Sequence, residues 1–148
     1  MKILCVPSKN VHIHNYEVRT FSYHRQDILE DLYRIRKDLQ PDLVFLPSTH
    51  DLHQDHEVIC SEGIRTYKTT CLLGYEIPWN NISFPTNCFV TFNEKHIVKK
   101  IKALNCYKSQ KYRSYVNESF IRSLAITRGT QIQEKFAEAF QVIRWILF

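Results

Sequence analysis

The fold is decided by the apolar run Leu43-Val-Phe-Leu46 and by the polar stretch that follows it, Pro47-Ser-Thr-His-Asp-Leu-His-Gln-Asp-His56. A short apolar run of this kind is typical of a buried strand. The next segment, from Glu57 to Cys71, carries its apolar residues at helical spacing. A strand, a polar cluster and then a helix is the pattern with which an open α/β sheet builds a site beyond the carboxyl ends of its strands.

The polar stretch is rich in side chains that bind metals: His50, Asp51, His53, Asp55 and His56. Two imidazoles three residues apart, His53 and His56, are able to face one centre, and a nearby carboxylate can fix the tautomer of a ring. Nitrogen and carboxylate oxygen together suit zinc or iron better than calcium. The alternative is a polar surface loop with several histidines, and the spacing alone does not choose between the two.

Helices and strands alternate along the rest of the chain. We expect strands at 1–6, 12–14, 71–76 and 88–92, and helices at 22–39, 57–69, 95–107 and 118–128, the last of them capped by Asn117 and ended by Gly129. This alternation predicts an α/β fold with a mostly parallel sheet flanked by helices. At 148 residues, one domain is expected.

Composition and charge exclude several classes of protein. The formal net charge is +5 and the pI is about 9.0, but the basic residues are scattered, so we predict a solvated basic surface and no nucleic-acid partner. The five cysteines are odd in number and form no Cys-x-x-Cys pair, which indicates reduced thiols and a cytoplasmic location. We expect no leader peptide and no membrane-spanning segment.

Several stretches, in order, resemble the PIG-L/LmbE family of zinc-dependent N-deacetylases. They are Asp51-Leu-His-Gln-Asp-His56, Gly74-Tyr-Glu-Ile-Pro-Trp-Asn80, Lys102-Ala-Leu-Asn-Cys-Tyr-Lys-Ser-Gln110, Arg128-Gly129 and Phe136-Ala-Glu-Ala-Phe140. The resemblance runs from about Phe21 to the C-terminus. It implies a Rossmann-like fold, a zinc (Zn²⁺) cofactor, and hydrolysis of the N-acetyl amide on an N-acetylglucosamine-like sugar or sugar conjugate.

The resemblance also implies roles for individual residues. His56 is the implied zinc ligand, and His53 is the catalytic imidazole that faces the developing oxyanion. Asp55 is the implied catalytic carboxylate that orients or charges one of these rings, and Asp51 borders the site.

Substrate contacts are expected from three further residues. Trp79 is expected to stack on a sugar face and Asn80 to hydrogen-bond its hydroxyls. Gln110 is the third expected substrate contact. The alternatives are a packed loop whose Trp79 fills the domain and a structural amide at Gln110.

The family's first motif, Ala-His-Pro-Asp-Asp-Glu, supplies two metal ligands and the general base, and it does not occur in this sequence. The chain therefore resembles a single partial domain, residues 1–148, without the first strand and its motif. We expect the chain to be truncated or split, to bind zinc weakly, and to be inactive without a complementary N-terminal chain.

The sequence allows alternative interpretations. One is a non-catalytic homologue that binds a glycan or a protein partner. Another is a replacement half-site for the metal at His24 and Asp27, whose spacing would place both on one face of a helix. Glu138, between apolar neighbours, is expected to need a cationic partner, with Arg65 and Arg128 as candidates.

Overall fold

The computed structural model describes residues 2–110 and 112–147 and has an α/β fold. Its strands are β1 (Leu43–Pro47), β2 (Cys71–Tyr75), β3 (Cys88–Thr91) and β4 (Ala137–Arg144), and its α-helices are α1 (Arg25–Leu39), α2 (Gln54–Thr66), α3 (Glu94–Leu104) and α4 (Glu118–Thr130). Short 3₁₀ segments lie before α1 and between α3 and α4. The predicted fold class, a sheet flanked by helices, is confirmed.

The strands form one sheet in the order β1-β2-β4-β3. β1 and β2 are parallel, with Phe45 opposite Leu73 and Pro47 opposite Tyr75, because α2 forms the crossover between them. β4 runs antiparallel to β2 and places Gln141 opposite Gly74. The sheet is therefore mixed, and the expectation of a mostly parallel sheet is wrong because β4 runs antiparallel to β2. The polar residues that follow β1 lie at the carboxyl end of the one described parallel strand pair.

The chain divides into two compact units. The first unit comprises the N-terminal residues up to His14 and Phe89–Glu138. Its core is made of side chains from α3, from α4 and from the residue before β4: Ile97, Ile101, Ile121, Ala125 and Phe136. The expectation of a single domain stays a prediction.

The second unit, which we call the site unit, comprises Asn15–Cys88 and the chain from Ala139 onward. Its core is the buried trio Leu46, Tyr67 and Leu72, against which Leu32, Val44, Ile64 and Ile143 pack. Gly63 of α2 lies directly on β1, since a Cβ at this position would come within 2.5 Å of a methyl carbon of Leu46. The helix that carries the site thus packs closely on the strand that leads into it.

Several predicted elements are confirmed with shifted boundaries. The helix expected at 22–39 is α1 preceded by a 3₁₀ turn at Phe21–His24, and it ends where Gln40 adopts a left-handed conformation with φ of 43°. α2 begins at Gln54 rather than at Glu57, because the side chain of His53 caps it by accepting a hydrogen bond from the Asp55 N–H. Asn117 caps α4 as expected, by accepting from the Phe120 N–H at 2.7 Å. Gly129 does not end this helix as expected, because α4 continues to Thr130 and Gly129 has no positive φ.

The expected N-terminal strands are wrong. Lys2–Leu4 is a 3₁₀ helix and 12–14 is irregular, because neither segment pairs with a strand, and a lone strand leaves its backbone groups unsatisfied. Met1 lies outside the described residues. In the part of the chain that the structure describes, no helix has the length and apolar character needed to cross a membrane.

Candidate functional site

The site is built on the loop between β1 and α2. The loop starts at the buried Ser48, whose carbonyl accepts from the Asp51 N–H at 3.1 Å. Asp51 is buried and pairs through an isolated β-bridge with Asn81, and the Leu52 N–H donates to the Asn80 carbonyl at 3.1 Å. The loop is therefore fixed on both sides before the chain enters the helix.

The central contact of the site joins Asp51 and His56. Oδ2 of Asp51 lies 2.8 Å from Nδ1 of His56, and Oδ1 accepts from the His53 N–H at 2.8 Å. A fully buried carboxylate beside Nδ1 favours the tautomer with a proton on that nitrogen. In that tautomer Nε2 of His56 is an acceptor, as a metal ligand must be, and a carboxylate behind the ring is the usual arrangement for a metal-binding histidine.

His53 lies beside His56. The two ring centroids are 4.6 Å apart and the ring planes differ by 27°, so the imidazoles are stacked. Nδ1 of His53 accepts from the Asp55 N–H at 3.2 Å, which leaves the proton of the neutral ring on Nε2. The structure thus places an imidazole that can donate a hydrogen bond next to an imidazole that can bind a metal.

Asp55 does not have the contact that we expected. The carboxylate beside a site imidazole is that of Asp51, whereas Oδ2 of Asp55 accepts from the Arg19 N–H at 2.7 Å. Within α2, Asp55 immediately precedes His56, and adjacent helical residues do not face each other. The prediction that Asp55 orients a ring is therefore corrected in favour of Asp51, and a catalytic role for Asp55 stays a prediction.

The three expected substrate residues have different surroundings. Nδ2 of Asn80 donates to Oδ2 of Asp51 at 3.4 Å, so this amide supports the carboxylate of the central pair. Its Nδ2 also lies 3.3 Å from Nδ1 of His56, which cannot accept from it in the tautomer that carries the Nδ1 proton. Trp79 is 64% exposed, which contradicts the alternative of a buried plug. Gln110 belongs to the first unit, where its Oε1 accepts from the Tyr115 hydroxyl at 3.0 Å.

Other candidate residues have ordinary partners. Nδ1 of His50 contacts the Thr49 hydroxyl at 3.2 Å. His24 and Asp27 form an exposed pair on one turn with a separation of 3.5 Å. Glu138 pairs with Lys100 rather than with Arg65 or Arg128, because β4 presents it to α3 within the first unit.

Two residues that contact the site were not predicted from the sequence. One is Gln141 of β4, which binds the Ser48–Thr49 backbone and side chains. The other is Arg19, whose N–H and carbonyl are bound by Asp55 and by Gln54. Gln141 is 92 residues from Thr49 in the sequence, so no local pattern could have joined them. An amide within the apolar run Phe140-Gln-Val-Ile143 was the available signal, since a buried amide needs partners.

The negative charge of Asp51 contributes to raised pKa values of two neighbouring groups, Cys60 and Tyr75. Burial, and then Asp51, raises the pKa of the Cys60 thiol from 9.0 to about 11. Burial, then Asp51 and then Cys60, raises the pKa of Tyr75 from 10.0 to about 12. Both groups stay protonated at neutral pH, so neither serves as a nucleophile there.

The described residues do not complete a metal site. A catalytic zinc takes three protein ligands. Among residues 2–110 and 112–147, no three His, Cys, Asp or Glu side chains lie close enough together to hold a metal ion. His56 fits the requirement for one nitrogen ligand, but the set as a whole does not fit zinc without further groups.

Neither the family models nor the curated proteins include a match to this sequence. Among solved structures, the fold is similar to that of N,N'-diacetylchitobiose deacetylase from Pyrococcus horikoshii, with 20% identity and a TM-score of 0.64 over 87% of this chain and 55% of that one. It is also similar to teicoplanin deacetylase Orf2 in its zinc-inhibited form, with 14% identity and a TM-score of 0.65 over 87% and 55% of the two chains.

A third similar structure is the 4-carboxy-2-hydroxymuconate hydratase GalB from Pseudomonas putida KT2440, with 17% identity and a TM-score of 0.65 over 83% of this chain and 60% of that one. The chain thus spans between 55% and 60% of the length of these proteins. The fold is shared by two deacetylases and a hydratase, so the fold alone does not define the reaction.

Proposed function

We propose that this chain carries one part of the active site of a zinc-dependent N-deacetylase of the PIG-L/LmbE type, which hydrolyses the N-acetyl amide of an N-acetylglucosamine-like sugar. The observation that carries the proposal is the Asp51–His56 pair with His53 stacked on it, at the carboxyl end of β1. The two similar deacetylase structures support the proposal at the level of the fold.

The proposed roles follow from the hydrogen bonds of the two imidazoles. His56 would donate its Nε2 lone pair to the metal, while Asp51 holds its Nδ1 proton. His53 would use its Nε2 proton to stabilise negative charge that develops on the amide oxygen. Asp55 would act at a distance from the reacting atoms, by fixing Arg19 next to the first turn of α2.

The remaining metal ligands and the general base are proposed to come from outside the described residues. A single imidazole does not provide the affinity of three converging ligands, so we propose that the chain alone binds zinc weakly and does not turn over substrate. A complementary N-terminal polypeptide that carries His-Pro-Asp-Asp-Glu is the proposed partner. We assign no step of the hydrolysis to this chain by itself.

Sugar contacts are proposed for Trp79 and Asn80. The exposed indole of Trp79 offers an apolar face, and Asn80 places its amide at the Asp51–His56 pair. The expectation that Gln110 contacts substrate stays a prediction. The cytoplasmic location stays a prediction.

The test is reconstitution. The chain is mixed with a polypeptide bearing the His-Pro-Asp-Asp-Glu motif, zinc and N,N'-diacetylchitobiose, and released acetate is measured. We expect acetate release that needs both chains and zinc, and that is lost in a His56→Ala variant. His24→Ala is the matched control, since this histidine is exposed and lies outside the site. Release that survives in His56→Ala, or no release from the mixture, would contradict the proposal.

A second candidate function is non-catalytic binding of a glycan. The exposure of Trp79 next to an incomplete ligand set favours it. It predicts that binding of N-acetylated oligosaccharides is lost in Trp79→Ala and is unchanged by a chelator. Binding that disappears on addition of a chelator would support the metal-dependent site instead.

A further inference from the structure

The carboxamide of Gln141 is the centre of a buried hydrogen-bond cluster at the start of the site loop. Its Oε1 accepts from the Ser48 hydroxyl at 2.9 Å and from the Thr49 N–H at 3.0 Å. Its Nε2 donates to Oγ1 of Thr49 at 2.6 Å. The orientation of the amide is fixed chemically, because the Thr49 N–H can only donate and therefore requires an oxygen opposite it.

The cluster is connected to the central pair by a short chain of hydrogen bonds. The Ser48 hydroxyl that donates to Gln141 accepts from the His50 N–H at 3.1 Å, and the Ser48 carbonyl accepts from the Asp51 N–H at 3.1 Å. Asp51 then binds the ring of His56. The backbone from Ser48 to Asp51 is thus fixed by β4 at one end and bears the carboxylate of the site at the other.

The sheet provides the space for this arrangement at Gly74. In β2, Gly74 lies opposite Gln141, and a Cβ at this position would come within 3.0 Å of the Gln141 Oε1 and 3.1 Å of the Ser48 Cα. The absence of a side chain at Gly74 lets the amide of β4 reach across β2 to the loop that follows β1. Three neighbouring strands therefore contribute to one contact.

From these contacts we infer that Gln141 is a positioning residue of the candidate site, which holds the Ser48–Thr49 backbone so that Asp51 meets Nδ1 of His56. The inference rests on the proposed function only in taking His56 as the metal ligand. Gln141 touches neither substrate nor metal in this account, and it acts through Asp51.

Position 141 needs a planar side chain with an oxygen that accepts hydrogen bonds from the Ser48 hydroxyl and the Thr49 N–H. The carboxamide of Gln141 accepts two hydrogen bonds and donates a third, and the residue is only 9% exposed. A glutamate of the same shape keeps the two accepted bonds, and the Thr49 hydroxyl can rotate to donate the third. A leucine of similar size leaves the Ser48 hydroxyl and the Thr49 N–H without this partner.

The experiment compares Gln141→Leu, Gln141→Glu and Ile143→Ala with the parent chain. Ile143 lies in the same strand as Gln141 and packs on the core of the site unit through a hydrocarbon side chain. Ile143→Ala is therefore a control for loss of stability alone. The readouts are the tautomer of His56 at one pH, from long-range ¹H–¹⁵N correlations of the ring, the exchange rate of the Thr49 amide proton, and zinc affinity.

We expect the Nδ1-protonated tautomer of His56 in the parent chain and in Gln141→Glu. In Gln141→Leu we expect a mixture of tautomers, faster exchange at Thr49, and zinc affinity lower by up to about ten-fold. A Gln141→Leu variant that keeps the tautomer of the parent, and resembles Ile143→Ala in stability, would overturn the inference. The tautomer is measured without metal or substrate, so failure of the deacetylase proposal is distinguishable from failure of this one.

Discussion

At the scale of single residues, the site depends on one buried carboxylate. Asp51 has a fully buried side chain, and both of its oxygens bind groups of the site: the His53 N–H and the His56 ring. A buried acceptor without partners is costly, and so is a donor that loses its acceptor. Asp51 therefore couples the stability of the loop to the orientation of His56.

A substitution at Asp51 tests this coupling. In Asp51→Ala, the His53 N–H and the His56 ring lose their acceptor, so we expect the free energy of unfolding to fall by about 1–3 kcal/mol and the tautomer preference of His56 to be lost. Chemical denaturation and ring ¹⁵N spectra measure the two effects. Glu57→Ala, at an exposed position in the first turn of α2, is the control and should change neither. An unchanged tautomer in Asp51→Ala would show that the pair does not orient the ring.

A second test at this scale concerns Cys60. The raised pKa, about 11, and the burial of this thiol predict that it resists alkylation at pH 8, whereas the exposed Cys5 and Cys106 react. Peptide mass spectrometry after a brief exposure to iodoacetamide measures the order of reaction. Labelling of Cys60 at the rate of Cys106 in the folded chain would contradict the described burial.

At the scale of helices and strands, sequence patterns located most of the elements and few of their long-range contacts. β1, β2 and the helices were predicted because hydrophobic spacing and caps such as Asn117 are local signals. The N-terminal strands were wrong, since an apolar run such as Ile3-Leu-Cys-Val6 does not reveal whether a pairing partner exists. β4 was missed, although it supplies the amide that fixes the site loop.

Local sequence patterns likewise identified residues of the site but not all of their contacts. His53 and His56 were identified because three-residue spacing is visible in the sequence. From the family resemblance, Asp55 was expected to orient or charge one of the two rings, whereas its Oδ2 accepts from the Arg19 N–H and Asp51 binds the ring of His56. The pairing of Asp51 with His56 depends on how the loop between β1 and α2 folds, which local spacing in the sequence does not reveal.

The contact between α1 and α2 offers a test at the scale of elements. Glu62 of α2 is completely buried and binds Arg25 of α1 at 2.7 Å and Arg65 of its own helix at 2.5 Å. In Glu62→Gln the charge that both guanidinium groups face is lost, and we expect the free energy of unfolding to fall by about 1–3 kcal/mol. Glu30→Gln, on the exposed face of α1, should stay within about 0.5 kcal/mol of the parent. Equal stability of the two variants would mean that the buried contact adds nothing.

Gly129 of α4 gives a second test at this scale. Alanine normally stabilises a helix interior by about 1 kcal/mol over glycine. A Cβ at Gly129 would lie 2.5 Å from the Glu134 carbonyl oxygen and 2.9 Å from the Phe136 nitrogen, so Gly129→Ala must move backbone and should destabilise. At Gly63 the nearest atoms to a Cβ belong to the side chain of Leu46, at 2.5, 2.8 and 3.3 Å, and since a side chain moves more easily than backbone, Gly63→Ala should cost less. Thermal unfolding of both variants measures the difference, and a more stable Gly129→Ala would contradict the described packing.

At the scale of the whole molecule, the free energy of unfolding should fall as the pH becomes alkaline. The pKa values of Cys60 and Tyr75 rise from 9.0 to about 11 and from 10.0 to about 12 on folding, so the folded state holds these protons more tightly than the unfolded state. The resulting stabilisation is complete below pH 9 and is lost as the pH rises toward 12. Urea unfolding at a series of pH values measures the slope. Tyr75→Phe should be less dependent on pH above 10, and an identical slope in this variant would exclude Tyr75 as a cause.

β1 leads into two stacked imidazoles, His53 and His56, of which we propose His56 as the metal ligand. The chain spans between 55% and 60% of similar solved structures, and no complete ligand set occurs among its described residues. The central claim is therefore that His56 is the principal zinc ligand of this chain and that its affinity alone is low.

Zinc titration of the isolated chain, followed residue by residue in ¹H–¹⁵N spectra, tests this claim most directly. The account predicts weak binding that shifts the Nε2 signal of His56, that is abolished in His56→Ala, and that is unchanged in His24→Ala. Tight stoichiometric binding by the chain alone, or binding that persists in His56→Ala, would contradict it.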